Sequence, residues 1–148
     1  MSQVRGSFDS VLPEWPAGTV IILSTAGEAP HAIPVSAAVR AGPRLVLIGL
    51  ARGRSSLERL RRNPAVALAV VAEATAVTAH GRARVVDEQL TEGVVAVAIE
   101  VDRVQDHDRP TFDIQAGVRW RWTDPEAASR DEAVRAALER LAERDRAQ

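Results

Sequence analysis

The segment Thr75–Val86 restricts the possible folds more than any other part of the sequence, because small or apolar residues alternate with polar ones along it. Alternation with a period of two is the pattern of a β-strand that is buried on one face only. The residues of the buried face are Val77, Ala79, Gly81, Ala83 and Val85, and those of the polar face are Thr78, His80, Arg82 and Arg84. The chain is therefore expected to contain a sheet with one packed face and one polar face.

Further strands are predicted where β-branched and apolar residues cluster between turn-forming residues. They are Gly18–Thr25, His31–Val39, Arg44–Leu50, Ala65–Ala72, Val94–Val104 and Gly117–Thr123. The first three are expected to form a meander, with Pro34 placing the second strand at a sheet edge or at an irregularity. Polar connections are expected at Asp87–Glu92 and Asp106–Pro110. Short strands joined by tight turns are typical of an antiparallel barrel.

Two segments have the pattern of helices. A short helix is predicted over Ser55–Arg62, ending at Asn63 because the residue before a proline avoids the helical region. An amphipathic helix is predicted over Arg130–Arg146. Its apolar stripe consists of Val134, Ala137, Leu138 and Leu141. We expect this stripe to pack as a lid on the barrel or against a second subunit.

Composition excludes several classes of function. The 148 residues fit a single domain over 1–148. The chain has no cysteine, and all 19 basic residues are arginine, which excludes thiol nucleophiles, disulfides and Schiff-base lysines. A net charge of -1 and an aromatic content of 3% argue against nucleic-acid and membrane partners. The first ten residues lack the apolar core of a signal peptide, so a cytoplasmic location is expected.

The histidines do not form a recognisable ligand pattern. His31, His80 and His107 are scattered and lack the spacing of metal ligands, so no metal site is expected. His80 shares a polar strand face with arginines, where we expect solvent rather than an anionic ligand. The motifs of serine hydrolases and of P-loop nucleoside triphosphatases are also absent from the sequence.

The segment ARGRSSLERLRRNP, residues 51–64, is a candidate anion site. A helix N-terminus offers unpaired N–H groups and a partial positive charge, which suit a phosphate. Arg52 and Arg54 precede the predicted helix, and Ser55 and Ser56 add hydroxyl donors. The alternative is a capping box from Ser55 to Glu58, which would use the same donors within the protein.

The order of the motifs resembles that of a known superfamily. The sequence contains P-H-x-x-P-V-S over residues 30–36, G-R-S-S-L-x-x-L-x-x-N-P over residues 53–64 and G-x-A over residues 81–83. This order resembles the flavin-binding split barrels of the pyridoxamine 5'-phosphate oxidase-like superfamily. The resemblance implies a mainly β fold, a split antiparallel barrel of Greek-key type with a short helix between the third and fourth strands and a C-terminal helix. It also implies a homodimer that binds FMN at the subunit interface.

The resemblance assigns a role to each site residue. The FMN phosphate would be held by Arg52, Arg54, Ser55 and Ser56. The ring would be lined by Pro34, Val35, Ser36, Ile48 and Gly49, and backbone amides in these two segments would bond its polar edge. Trp120 or Trp122 of the partner subunit would cover the ring. The implied function is an FMN-dependent oxidoreductase that transfers a hydride to or from an unknown small-molecule substrate, with no catalytic acid or base assigned.

The sequence departs from the family pattern at two positions. A basic residue of the family falls at Ser56, and the vitamin B6 oxidase has a basic residue where Ile33 stands here. The chain therefore resembles a paralogue rather than that oxidase. Three alternatives stay open: a deazaflavin-dependent reductase, a haem-binding protein with His31, His80 or His107 as axial ligand, and a non-catalytic module that has lost its cofactor.

Overall fold

The computed structural model describes residues 8–9 and 11–148, and within them it contains eight strands and two helices. The strands are β1 (Phe8–Asp9), β2 (Ile21–Thr25), β3 (His31–Val35), β4 (Ala38–Gly42), β5 (Leu45–Ala51), β6 (Ala65–Ala72), β7 (Thr75–Thr91) and β8 (Val94–Asp106). The helices are α1 (Ser55–Arg62) and α2 (Pro125–Arg146). All strand pairs are antiparallel.

The sheet curls into a barrel that is open along one seam. The strand order is β3-β2-β6-β7-β8-β5-β4, and β1 pairs with β8 outside this path. β3 and β4 follow each other in the chain but lie at opposite ends of this order, and only Ser36 and Ala37 connect them. The two ends of the sheet must therefore meet at this connection. The predicted split barrel is confirmed, with α1 between β5 and β6.

The predicted strand His31–Val39 is two strands because its odd-numbered residues change sides. Ile33 and Val35 point into the core inside the barrel, whereas Ala37 and Val39 belong to the cluster under α2. A regular strand keeps alternate residues on one face, so this switch requires a break. The predicted meander keeps its consecutive antiparallel pairs, β2 with β3 and β4 with β5, but the break places these two pairs at opposite ends of the strand order. After the break, β4 pairs with β5, and β5 continues the sheet to β8 rather than to β3.

The predicted polar connection Asp87–Glu92 is mostly strand. β7 continues to Thr91, and β8 starts at Val94, so Glu92 and Gly93 alone form the turn. Register shifts between Val85 and Asp87 and between Asp87 and Thr91 allow this irregular stretch to stay paired. The end of the β7–β8 hairpin is therefore longer and more twisted than the polar composition of Asp87–Glu92 indicates.

The predicted strand Gly117–Thr123 is not a strand. A single isolated bridge joins Arg119 to Thr19, and the Val20 amide donates to the Val118 carbonyl at 2.9 Å. Both edges of β2 are already paired, with β3 and with β6. The segment therefore finds backbone partners only at residues that precede β2, and it crosses the barrel as an extended chain.

Two apolar clusters stabilise the fold. The larger fills the barrel and includes fully buried Ile21, Leu68 and Ile99. The smaller lies between α2 and the outer face of β4, β5 and β8. On the sheet side it is rich in small residues, namely Ala37, Ala41, Ala96 and Ala98, and on the helix side it contains Val134, Ala137, Leu138 and Ala142. The small side chains make a shallow surface on which the helix lies close to the sheet.

The C-terminal helix begins earlier than predicted. It begins at Pro125, and Asp124 caps it by accepting a hydrogen bond from the Glu126 amide. It docks on the barrel of its own chain, which confirms the lid interpretation of its apolar stripe. Neither helix of residues 11–148 has the combination of length and apolar composition needed to cross a bilayer.

His80 on β7 makes stability depend on pH. Its Nε2 is buried and has no hydrogen-bond partner among the described residues, and its cross-strand neighbour is Arg103. Burial, with a contribution from the positive charge of Arg103, lowers the pKa of His80 below its usual value. As the pH falls through the pKa of the unfolded chain, the unfolded state binds a proton first, so the free energy of unfolding decreases.

His80→Gln is therefore expected to lose less stability than the wild type between pH 7.5 and pH 5.5. Urea unfolding at both pH values measures the two differences. An equal loss in the two proteins would show that His80 does not titrate differently in the folded and unfolded states.

Candidate functional site

A cavity of about 410 Å³ lies at the open seam of the barrel. It is bounded by the β3–β4 connection, the end of β5 with the loop that follows it, residues 120–122 and the first half of α2. Its lining residues are Ile33, Pro34, Val35, Ser36, Ala37, Gly49, Leu50, Ala51, Arg54, Glu92, Val94, Trp120, Trp122, Ala127, Arg130, Asp131 and Val134. Its volume is within the range of small-molecule sites, about 300–1,000 Å³.

A second, shallower cavity of about 630 Å³ adjoins the first. The two share four lining residues, Ser36, Trp120, Trp122 and Asp131. The second cavity extends along α2 past Ala128 to Arg135 and along the opposite wall to Arg119. Together the two cavities form one cleft between α2 and residues 119–122.

Seven of the eleven predicted cofactor residues lie in the first cavity. They are Pro34, Val35, Ser36, Gly49, Arg54, Trp120 and Trp122. The structure does not bring the other four there. The side chain of Ile48 is fully buried in the barrel core, and Arg52 donates to the carbonyl of Glu88. Ser55 is exposed on the first turn of α1, outside the lining of the cavity.

Ser56 is directed into the protein rather than towards a ligand. It is 1% exposed, and its Oγ lies 3.2 Å from Nε2 of His31 on β3. This contact ties α1 to the first hairpin of the barrel. Because neither residue lines the cleft, the hydroxyl of Ser56 cannot reach a ligand in it.

The start of α1 lacks the predicted capping box. The N-cap is Arg54, without a side-chain hydrogen bond to the helix, and Ser55 is already the first helical residue. Glu58 pairs with Arg62 at 2.9 Å instead of reaching back. The alternative prediction, in which a capping box of Ser55 and Glu58 occupies the N–H donors at the start of the helix, is therefore wrong. The N–H groups at the N-terminus of α1 therefore have no side-chain acceptor, and no cap offsets the partial positive charge at this end of the helix.

The two tryptophans line the cavity of their own chain. Trp120 and Trp122 are 44% and 41% exposed, and their rings meet edge to face with centroids 5.8 Å apart. Arg119 fixes the segment by donating from Nη1 to the Ala17 carbonyl at 2.7 Å. This wall of the cavity therefore forms without the rings that were expected from a partner subunit.

Two of the backbone amides expected to contact a ring, those of Ile48 and Gly49, are already paired. The Gly49 amide donates to the Ala37 carbonyl at 3.1 Å, and Ile48 is on a strand paired on both sides. A Cβ at Gly49 would lie 2.6 Å from Cγ1 of Val134, so this glycine allows α2 to approach the sheet. The amides of Ile48 and Gly49 are therefore not available to a ligand in the cavity.

The charged side chains of the first cavity favour an anionic ligand. Within residues 11–148, the guanidinium groups of Arg54 and Arg130 have no hydrogen-bond or ion-pair partner. Glu92 lies on the same lining. The carboxylate of Asp131 is neutralised by Arg135, whose Nη2 lies 2.5 Å away. The lining thus carries two unpaired guanidinium groups and one unpaired carboxylate, so the net charge of the cavity is positive.

The sequence interpretation missed the contribution of α2 to the cavity. Ala127, Arg130 and Asp131 precede Val134 by seven, four and three residues, which places them on the same face of the helix. Extending the apolar stripe backwards at helical spacing would have found them. The three histidines lie outside the lining of both cavities. Within the described part of the chain, no group of three metal-ligating side chains occurs.

No protein-family model matches the sequence, and a comparison with curated proteins gives no match either. Solved structures do share the fold. A pyridoxamine 5'-phosphate oxidase-like protein from Listeria innocua aligns with a TM-score of 0.53 at 14% identity, covering 62% of this chain and 90% of that protein.

Two flavin-related structures give similar values. An F420 reductase aligns with a TM-score of 0.54 at 12% identity, covering 63% of this chain and 98% of that protein. BorF, the flavin reductase component of a bacterial two-component tryptophan halogenase, aligns with a TM-score of 0.52 at 14% identity, covering 62% and 81%. The chain has the split-barrel fold of the pyridoxamine 5'-phosphate oxidase-like proteins.

Proposed function

We propose that the chain is an FMN-dependent oxidoreductase whose cofactor binds in the cavity at the open seam of the barrel. The observation that carries this proposal is the position of Arg54. Its guanidinium group has no partner in residues 11–148, it lines the cavity, and it is the N-cap residue of α1, whose N–H groups have no side-chain cap. A phosphate is the group that such a combination binds best.

The remaining walls suit a flat, largely apolar ring. Val35, Leu50 and Val94 supply aliphatic surface, and the exposed faces of Trp120 and Trp122 supply aromatic surface. Bound FMN would supply the hydride and electron transfer that the chain's own residues do not provide. The residues of the cavity would orient the ring and exclude water from one of its sides. The second cavity would admit the small-molecule substrate.

A deazaflavin coenzyme is the second candidate for the same cavity. The structural likeness to an F420 reductase supports it, because the same fold then carries either cofactor. A haem is less well supported, since it needs an axial ligand and none of the three histidines lines the cleft. The non-catalytic alternative is distinguished by cofactor binding alone.

The test is the visible absorption spectrum of the purified protein, recorded before and after addition of FMN and removal of the excess. A retained flavin spectrum supports the proposal. A protein that stays colourless after saturation with FMN contradicts it. Parallel saturation with the deazaflavin coenzyme then separates the reductase alternative from a module without cofactor.

We also propose that the protein is a homodimer that associates through the outer face of β2, β3 and β6. This face is uncovered by α2 and carries exposed Ile22 and Val71 among small residues such as Ala69. Burying exposed aliphatic side chains between two subunits would stabilise the dimer.

Val71→Arg is expected to shift the protein from dimer to monomer, because it replaces an exposed aliphatic side chain of this face by a charged one. Light scattering coupled to size-exclusion chromatography measures the mass. Gln89→Arg, at the exposed end of β7, adds the same charge elsewhere and is expected to leave the dimer intact. A dimer in both variants would assign the interface to another surface.

A further inference from the structure

Ser36 has an unusual position for a polar residue of the cavity wall. It lies between β3 and β4, where the two ends of the sheet meet, and it is in neither strand. It lines both cavities of the cleft. It is the one serine or threonine on the lining of either cavity in residues 11–148.

The hydroxyl proton of Ser36 already takes part in a hydrogen bond within the protein. Its Oγ donates to Oδ1 of Asp131 at 2.8 Å, and Asp131 also accepts from Nη2 of Arg135 at 2.5 Å. The side chain of Asp131 is only 11% exposed. An ionised carboxylate can only accept hydrogen bonds, and a hydroxyl has one proton and two lone pairs. Ser36 therefore presents lone pairs, and no proton, to the cavity.

We infer that Asp131 sets the hydrogen-bond polarity of the cavity, so that Ser36 selects ligands that offer an N–H group at this wall. Asp131 is a positioning residue, and the contact with Arg135 fixes the orientation of its carboxylate. The inference rests on the proposed function in that FMN is the ligand with which it is tested. In oxidised FMN the ring has a single N–H, at N3, and a methyl group at N3 removes it.

The expected effect of each variant follows from the hydrogen-bond donors and acceptors that the substitution adds or removes. Ser36→Ala removes the acceptor. Asp131→Asn leaves one oxygen and one NH₂ group, and the charged Arg135 competes for the oxygen more strongly than a hydroxyl does. The NH₂ group then turns to Ser36 and donates to it, which releases the hydroxyl proton towards the cavity. Asp145→Asn, the same exchange at an exposed position of α2 that lines neither cavity, is the matched control.

The measurement is the ratio of the dissociation constants of 3-methyl-FMN and FMN, obtained by flavin fluorescence titration. The wild type and Asp145→Asn are expected to prefer FMN about tenfold, the loss typical of an unpaired buried acceptor. In Ser36→Ala and Asp131→Asn the ratio is expected to fall towards one. Circular dichroism confirms that each variant is folded.

The outcomes separate this inference from the proposal on which it rests. If the wild type binds neither flavin, the FMN proposal itself is overturned, and this inference with it. If the wild type binds FMN but the ratio is near one, or stays near ten in both Ser36→Ala and Asp131→Asn, only the role of Ser36 and Asp131 is overturned. Ser36→Ala keeps the test valid if Asp131→Asn fails to fold.

Discussion

Arg54→Ala is expected to bind FMN about ten- to a hundredfold more weakly than the wild type, because a hydrogen bond to a charged group contributes about 1.5–3 kcal/mol. The guanidinium group of Arg54 has no partner within residues 11–148, so its removal leaves no carboxylate unpaired and the fold is expected to remain intact. Equilibrium titration followed by flavin fluorescence measures the change.

Riboflavin, which lacks the phosphate, identifies the cause of this loss. Arg54→Ala is expected to bind riboflavin as well as the wild type does. Arg140→Ala, an exposed arginine of α2 that lines neither cavity, is the control for a general loss of charge. An equal loss for FMN and riboflavin would contradict a phosphate contact at Arg54.

Gly117→Ala is expected to displace the segment that carries the two cavity tryptophans. A Cβ at Gly117 would lie 1.6 Å from the carbonyl oxygen of Val71, far inside van der Waals contact. Because the obstacle is strand backbone, the segment itself must move. We expect a loss of about 1–3 kcal/mol in the free energy of unfolding and a red-shifted tryptophan emission.

Gly53→Ala provides the matched control for this prediction. A Cβ at Gly53 would meet no atom within 4 Å. Urea unfolding and emission spectra of both variants, recorded side by side, measure the difference. An unshifted emission maximum in Gly117→Ala would show that the tryptophans keep their positions without this close approach. Loss of the flavin spectrum in Gly117→Ala alone would link the segment to cofactor binding.

Local patterns were sufficient for the elements that depend on local interactions. Ser55–Arg62 and Ala65–Ala72 have the predicted bounds, since a proline and an apolar run define them directly. The break at Ser36 and Ala37 was not predictable from alternation, because it depends on which distant strands pair with each half. Gly117–Thr123 has strand composition, but the edges of β2 are already occupied.

The same distinction applies to the candidate site. The motif order placed Pro34, Ser36, Gly49 and Arg54 around one cavity, because these residues flank short connections of the barrel. The burial of Ser56 against His31 depends on the docking angle of α1, which no local pattern records. Asp131 lies far along the chain from Ser36, and the pairing of an acidic helix residue with a hydroxyl carries no sequence signal.

The order of the elements along the chain has a consequence for synthesis. Every strand of the sheet precedes residue 107, whereas the tryptophan segment and α2 follow it. On the ribosome the barrel can thus close before its cleft exists, leaving the sheet face of Ala37, Ala96 and Ala98 in water until α2 emerges. Small side chains on that face limit the apolar area that a nascent chain offers to chaperones or neighbours. The segment that completes the cleft is thus made only after every described strand of the barrel.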